Sequence, residues 1–119
     1  MTAKTLVHIQ HGPDDVEKAT VAMTLANMSS SSGAETFLFV SSDAVELIMK
    51  DFEDHRRIAG YTPLNTLLTR YAENGGKFWV YEDSARVRGI VPDDLIEGVE
   101  IVDAARTVSF LGEGGRVLM

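Results

Sequence analysis

The sequence predicts an α/β fold in which a five-stranded, mainly parallel sheet carries helices on both faces. Three observations predict it. Short runs of strand-forming residues alternate with stretches of helical periodicity along the whole chain. The run Glu35-Thr36-Phe37-Leu38-Phe39-Val40 is almost continuously apolar, as a strand buried on both faces of a parallel sheet must be. The 119 residues suffice for one core and one domain, with no internal repeat and no linker.

Thr5 to Ile9 reads as the first strand, ended by Gly12-Pro13. Asp14 and Asp15 suit the cap and first turn of a helix, because negative charge there complements the helix dipole. Val16, Ala19, Ala22, Met23, Leu25 and Ala26 then recur at helical spacing as far as Met28. Ser29 to Gly33 is expected to break that helix as a flexible turn. After the second strand, Ser41-Ser42-Asp43 is expected to cap a helix through Ala44, Val45, Leu47, Ile48 and Met49. Residues 51–62 form a polar loop over one edge, and His55 within it is expected to be solvated. Pro63 starts a helix with Leu64, Leu67, Leu68 and Tyr71 on one face, and Asn74-Gly75-Gly76 ends it. Lys77 to Tyr81 is the third strand, followed by a short helix from Ser84 to Val87. Pro92 opens a brief turn through Leu95 and Ile96. Val99 to Val102 is the fourth strand, Asp103 to Leu111 the last helix, and Arg116 to Met119 a fifth strand.

Composition excludes several functions. The net charge is −7, and Arg56-Arg57, Arg86 and Arg88 are local features on an acidic body. Binding nucleic acid needs a basic stripe to displace counterions, so no nucleic-acid partner is expected. The same acidity opposes anionic membrane surfaces, and no apolar run approaches the ~20 residues of a membrane helix. The absence of cysteine removes disulfides, thiolate metal sites and a thiol nucleophile. No signal-peptide pattern opens the chain, so a cytoplasmic location is expected.

In parallel sheets ligands bind at the carboxyl ends of the strands. The candidate site therefore falls in three loops: His11 to Asp14, Ser41 to Asp43, and Glu82 to Gly89. Its candidate ligand-binding residues are His11, Asp14, Ser42, Glu82, Asp83, Ser84 and Arg88. Glu82 or Asp83 has the chemistry of an acid, a base or a metal ligand. The simpler reading is that Asp83 caps the helix beginning at Ser84. His11 has the chemistry of a base or ligand, whereas His8, inside the first strand, reads as packed or facing a neighbouring subunit. Arg86 and Arg88 have the chemistry to clamp an anion; otherwise Arg88 braces its own turn or pairs with an acidic loop of a neighbouring subunit. No HxH, HExxH or catalytic-triad spacing occurs, and Gly12 opens neither a GxGxxG motif nor a Walker motif. The sequence thus implies no metal and no cofactor. Phe52, Tyr61, Trp79 and Phe110 exceed the evident needs of a small core, which suggests either a subunit interface or ordinary packing.

Several features in order resemble one family. A Gly-Pro-Asp-Asp loop leads into an alanine-rich helix, and the second strand ends in Ser41-Ser42-Asp43-Ala44-Val45. Gly75-Gly76 precedes the third strand, which is followed by Ser84-Ala85-Arg86-Val87-Arg88-Gly89-Ile90. Pro92 to Ile96 and Gly98-Val99-Glu100-Ile101-Val102 complete the pattern. This arrangement resembles the DsrE/DsrF-like family of small sulfur-relay proteins over nearly the whole chain. The resemblance implies a three-layer α/β/α sandwich and a homo-oligomer, a homotrimer or homohexamer. It also implies that active members carry a persulfide on cysteine after the third strand, before an Arg-Gly step. Tyr81 and Ser84 match those cysteine positions, and Arg88-Gly89 is retained. Serine is no substitute, because its alkoxide is inaccessible near neutral pH and oxygen forms no persulfide analogue.

Two functional readings follow. One is a non-enzymatic, self-associating binding or accessory protein of the sulfur-relay type without its relay atom. The other is an enzyme or small-ligand sensor working with Glu82, Asp83, His11 and Arg88 at the same edge. A receiver-like domain is a weaker match. Asp14-Asp15 and Asp83 mimic its acidic residues, but nothing supplies the lysine it needs after the fifth strand.

Overall fold

Every strand among the described residues pairs in parallel. The computed structural model describes residues 3–54, 56 and 58–118. Its elements are β1 (Lys4–Ile9), α1 (Val16–Ser31), β2 (Glu35–Val40), a 3-10 segment (Ser42–Ile48), α2 (Leu64–Glu73), β3 (Lys77–Tyr81), α3 (Glu82–Val87), a 3-10 turn (Pro92–Asp94), β4 (Val99–Val102), α4 (Ala104–Gly112) and β5 (Arg116–Leu118). The strands form one sheet in the order β4-β3-β2-β1-β5. The expected five-stranded parallel sheet and its three α/β/α layers are both present. His55, Arg57 and Met119, which entered the expectations above, lie outside the described residues.

The strand order explains the layering. From β1 to β4 the chain steps across the sheet in one direction, and crossovers of one hand then leave their helices on one face. Only the return from β4 to β5 reverses direction, and it puts α4 on the other face. The core divides accordingly. On the first face Val7, Leu38 and Val80 pack with Ala19, Ala22 and Met23 of α1 and with Leu64, Leu67 and Tyr71 of α2. On the second, Leu6, Phe37, Phe39, Trp79 and Val102 pack with Phe110 of α4. The alanines of α1 let its backbone lie close to the sheet and to α2.

The two long-range helix stops share one construction. Gly75 and Gly114 have φ of +79° and +88°, the left-handed turn that glycine adopts without a Cβ penalty. The next glycine in each case, Gly76 or Gly115, donates its N–H back to the carbonyl of Tyr71 or Phe110, at 2.9 and 3.1 Å. The ring of that same aromatic fills the space where a Cβ would stand.

Several expectations are corrected. Ser29 to Ser31 do not break α1 but form its last turn, since the Ser32 N–H still reaches Met28 O at 3.0 Å. The Ser29 hydroxyl meets that of Thr36 at 2.8 Å. The segment after β2 is a 3-10 helix rather than an α-helix, and Ser41 makes no side-chain cap. Trp79 and Phe110 are core residues at 2% and 1% exposure, so they are not available to an interface. Phe52 packs partly buried against the first-face core, and Tyr61 bonds Glu17 at 3.1 Å.

Candidate functional site

One α-helix is about 10–12 Å across with its side chains, whereas five strands about 4.8 Å apart span roughly 19 Å. Because α4 alone covers the second face, part of that face stays open. At its carboxyl end the opening is a cavity of about 340 Å³ between α4 and the sheet. The sheet contributes His8, Phe39 and Tyr81, and α4 contributes Ala104, Thr107 and Val108. Ser41, Ser42 and Ser84 close the end where the β2 and β3 loops meet.

Strand register brings the sheet residues together. His8 pairs with Phe39 across β1 and β2, and the two rings lie 4.9 Å apart. Tyr81 packs edge-on to Phe39 with centroids at 5.9 Å. Ser41 lies two residues beyond Phe39 and so projects to the same face, where its Oγ meets His8 Nε2 at 2.8 Å. Here Ser41 spends its hydroxyl on His8 rather than on capping. Burial lowers the His8 pKa from its ordinary 6.5, so the ring is neutral at pH 7.

Ser42 begins the 3-10 segment at φ +54°, the only non-glycine residue with positive φ among the described residues. Such a backbone costs about 1–3 kcal/mol and persists only where the surroundings hold it. Its N–H donates to Ser84 Oγ at 3.1 Å, and the next turn is closed by Ala44 N–H to Ser41 O at 3.1 Å. Gly12 packs against the same turn, and a Cβ there would stand 2.7 Å from Asp43 O. The β1, β2 and β3 loops are therefore one packed unit.

The charged candidates do not converge. Asp83 is not a helix cap: α3 begins at Glu82, with Tyr81 at its N-cap and no side-chain cap. Asp83 sits in the first turn instead, bonded to Arg86 at 2.9 Å and to the Tyr81 hydroxyl at 3.3 Å. Arg88 reaches Asp43 at 3.3 Å and the Ser84 carbonyl at 3.2 Å, so it braces its own turn. It also lines a separate cavity with Phe52, Glu46 and Asp51. His11 Nδ1 pairs with Asp14 Oδ2 at 2.8 Å, and Gly12 N–H donates to Asp14 Oδ1 at 2.7 Å. The hydrogen bond from His11, then that from Gly12, holds the Asp14 carboxyl below the usual carboxylate range. His11 lines a further cavity, with Lys18 and Ala22. Glu82 is exposed at the start of α3. Among the described residues no three His, Asp or Glu side chains are grouped to hold a metal ion.

Of the seven candidates, then, Ser42 and Ser84 share one cavity, and the acid, base and arginine groups lie apart from it. Sequence reasoning missed His8, left Ser41 within a candidate loop without singling it out, and missed the α4 wall. The period-2 alternation in β1 and β2 carries a signal for the first two, since Leu6 and His8 share a face, as do Phe39 and Ser41. Nothing in the sequence signals which part of the sheet α4 leaves open.

The DsrE/DsrF-like family model matches residues 3–119. No curated protein sequence matches the chain. Three solved structures are similar in fold. The ychN protein from E. coli matches with a TM-score of 0.79 and 20% identity over 98% of both chains. The protein of unknown function MTH1491 from Methanobacterium thermoautotrophicum gives 0.75 and 19%, over 98% of this chain and 97% of that one. The conserved protein of unknown function BT1422 from Bacteroides thetaiotaomicron gives 0.67 and 14%, over 97% and 92%.

Proposed function

The chain belongs to the DsrE/DsrF-like family, and from that premise we propose that it is a non-catalytic, self-associating binding or accessory protein of this fold. The observation that carries this reading is the state of Ser84. Ser84 is, with Tyr81, one of the two positions that the resemblance matches to the family's cysteines. Here Ser84 is a hydroxyl that accepts the Ser42 N–H and so supports a strained turn. With no cysteine anywhere in the sequence, the chain has no atom on which to hold sulfane sulfur. The nearby ionic groups are engaged with each other, Asp83 with Arg86 and Asp43 with Arg88.

Exposed apolar side chains support self-association. Leu111 of α4 is 51% exposed, and Val117 of β5 is 50% exposed. Val117 pairs with Leu6 and so projects to the sheet face that α4 covers only in part. A second copy would bury these residues. Two measurements test the reading. Light scattering is expected to give a trimeric or hexameric mass, and a single-chain mass at every concentration would sink self-association. Mixed with a persulfide donor and a thiol acceptor, the protein is expected to leave the transfer rate unchanged. An acceleration proportional to protein concentration would sink the non-catalytic role.

A further inference from the structure

We infer that the cavity between α4 and the sheet takes an uncharged small molecule with an apolar ring for its body and a hydrogen-bond acceptor at one end. This rests on the binding role proposed above and names the ligand class for it. Among the described residues no lysine, arginine, aspartate or glutamate lines the cavity, although charged residues make up 24% of the chain. An ionised ligand would therefore lose hydration without gaining a counter-charge, which opposes its entry. Of the ions nearest in sequence, Asp83 pairs with Arg86, Asp43 with Arg88 and Arg106 with Glu113, Asp103 caps α4 through the Arg106 N–H, and Glu82 is exposed.

The walls specify the rest. Phe39 and Tyr81 meet edge to face on the sheet side, and Ala104 and Val108 lie opposite on α4. These are partners for a flat apolar body. At the closed end Ser84 Oγ already accepts the Ser42 N–H, so its own proton is free to be donated. The Tyr81 hydroxyl, by contrast, is donated to Asp83. A carbonyl or amide oxygen fits the Ser84 donor. A volume of about 340 Å³ stands at the small end of ligand pockets and holds one or two rings.

Benzamide, benzoate and benzamidine test the inference, because they share a shape and differ in charge. Each is titrated into the intact, self-associated protein at neutral pH, with backbone amide shifts of residues 81–84 and 104–108 as the readout. Benzamide is expected to bind about tenfold more tightly than either ion. Ala104→Trp, at an exposed position at the start of α4, is expected to abolish those shifts. Thr107→Lys is expected to reverse the order in favour of benzoate. Tighter binding of benzoate or benzamidine to the unmodified cavity would overturn the ligand class while leaving the binding role standing. If none of the three moves these amides, both the ligand class and the cavity are overturned. The light-scattering and sulfur-transfer results would then judge the broader role separately.

Discussion

The backbone N–H of Ser42 is 3.1 Å from the Oγ of Ser84, forty-two residues further along the chain. This bond joins the loop after β2 to the first turn of α3 and holds the one non-glycine residue with positive φ among those described. Removing the acceptor should therefore do more than delete a surface contact. Ser84→Ala is expected to cost about 1 kcal/mol, the usual net worth of a hydrogen bond. Ser84→Thr, which keeps the hydroxyl, should cost less. Urea midpoints of the two variants check this, and equal losses would show that the hydroxyl does not hold the turn.

His8 gives the fold a dependence on mild acid. Burial lowers its pKa in the folded chain below the ordinary 6.5. The unfolded chain therefore binds a proton first as pH falls, and stability drops from pH 6.5 downward through the folded pKa. His8→Gln, which can still bond Ser41, is expected to flatten the fall measured by denaturant midpoints between about pH 5 and about pH 7.5. Asp14 acts in a lower window. Its depressed pKa contributes stability that is present above its ordinary 3.8 and is lost below that. The two effects thus separate along one pH titration.

Tyr71 is fully buried, and its single hydroxyl proton is shared between the carbonyls of Lys77 at 2.7 Å and Thr36 at 3.0 Å. Tyr71→Phe is expected to cost about 1–2 kcal/mol through those carbonyls. Burial raises the phenol pKa, so the folded chain keeps its proton beyond the ordinary 10.0. Stability from this group is complete below pH 10 and is lost as pH rises. Alkaline unfolding should therefore shift to higher pH in the variant, relative to its own neutral stability.

Gly76 lies against the Tyr71 ring with no room for a side chain. Gly76→Ala is expected to destabilise by about 1–3 kcal/mol as overpacking, roughly 4 °C in Tm per kcal/mol. The matched pair Gly115 and Phe110 predicts the same for Gly115→Ala. Calorimetry checks both, and a neutral result at either would mean that its ring can yield.

Leu111 and Val117 are half exposed. Changing both to lysine should alter Tm by little, about 0.5 kcal/mol each, because neither belongs to the monomer core. The mass by light scattering is expected to fall towards the single chain. An unchanged multimer would place the interface on another face.

The sequence by itself determined the strands, their alternation with helical segments and their pairing type. Apolar runs such as Phe37 to Val40 demand burial on both faces, and alternation with helices demands parallel crossovers; both are local or nearest-neighbour signals. Sequence alone also determined what the chain cannot do with sulfur, since that follows from composition. Tertiary structure decided the site. Whether Asp83 caps α3 or pairs with Arg86 depends on where the helix starts, within a margin of two residues that periodicity does not resolve. Whether His8 faces solvent, a neighbouring subunit or Ser41 depends on the β1–β2 register. The cavity itself exists because the strand order sends three crossovers over one face and one over the other. That is a property of the whole sheet, which no segment of the chain encodes alone.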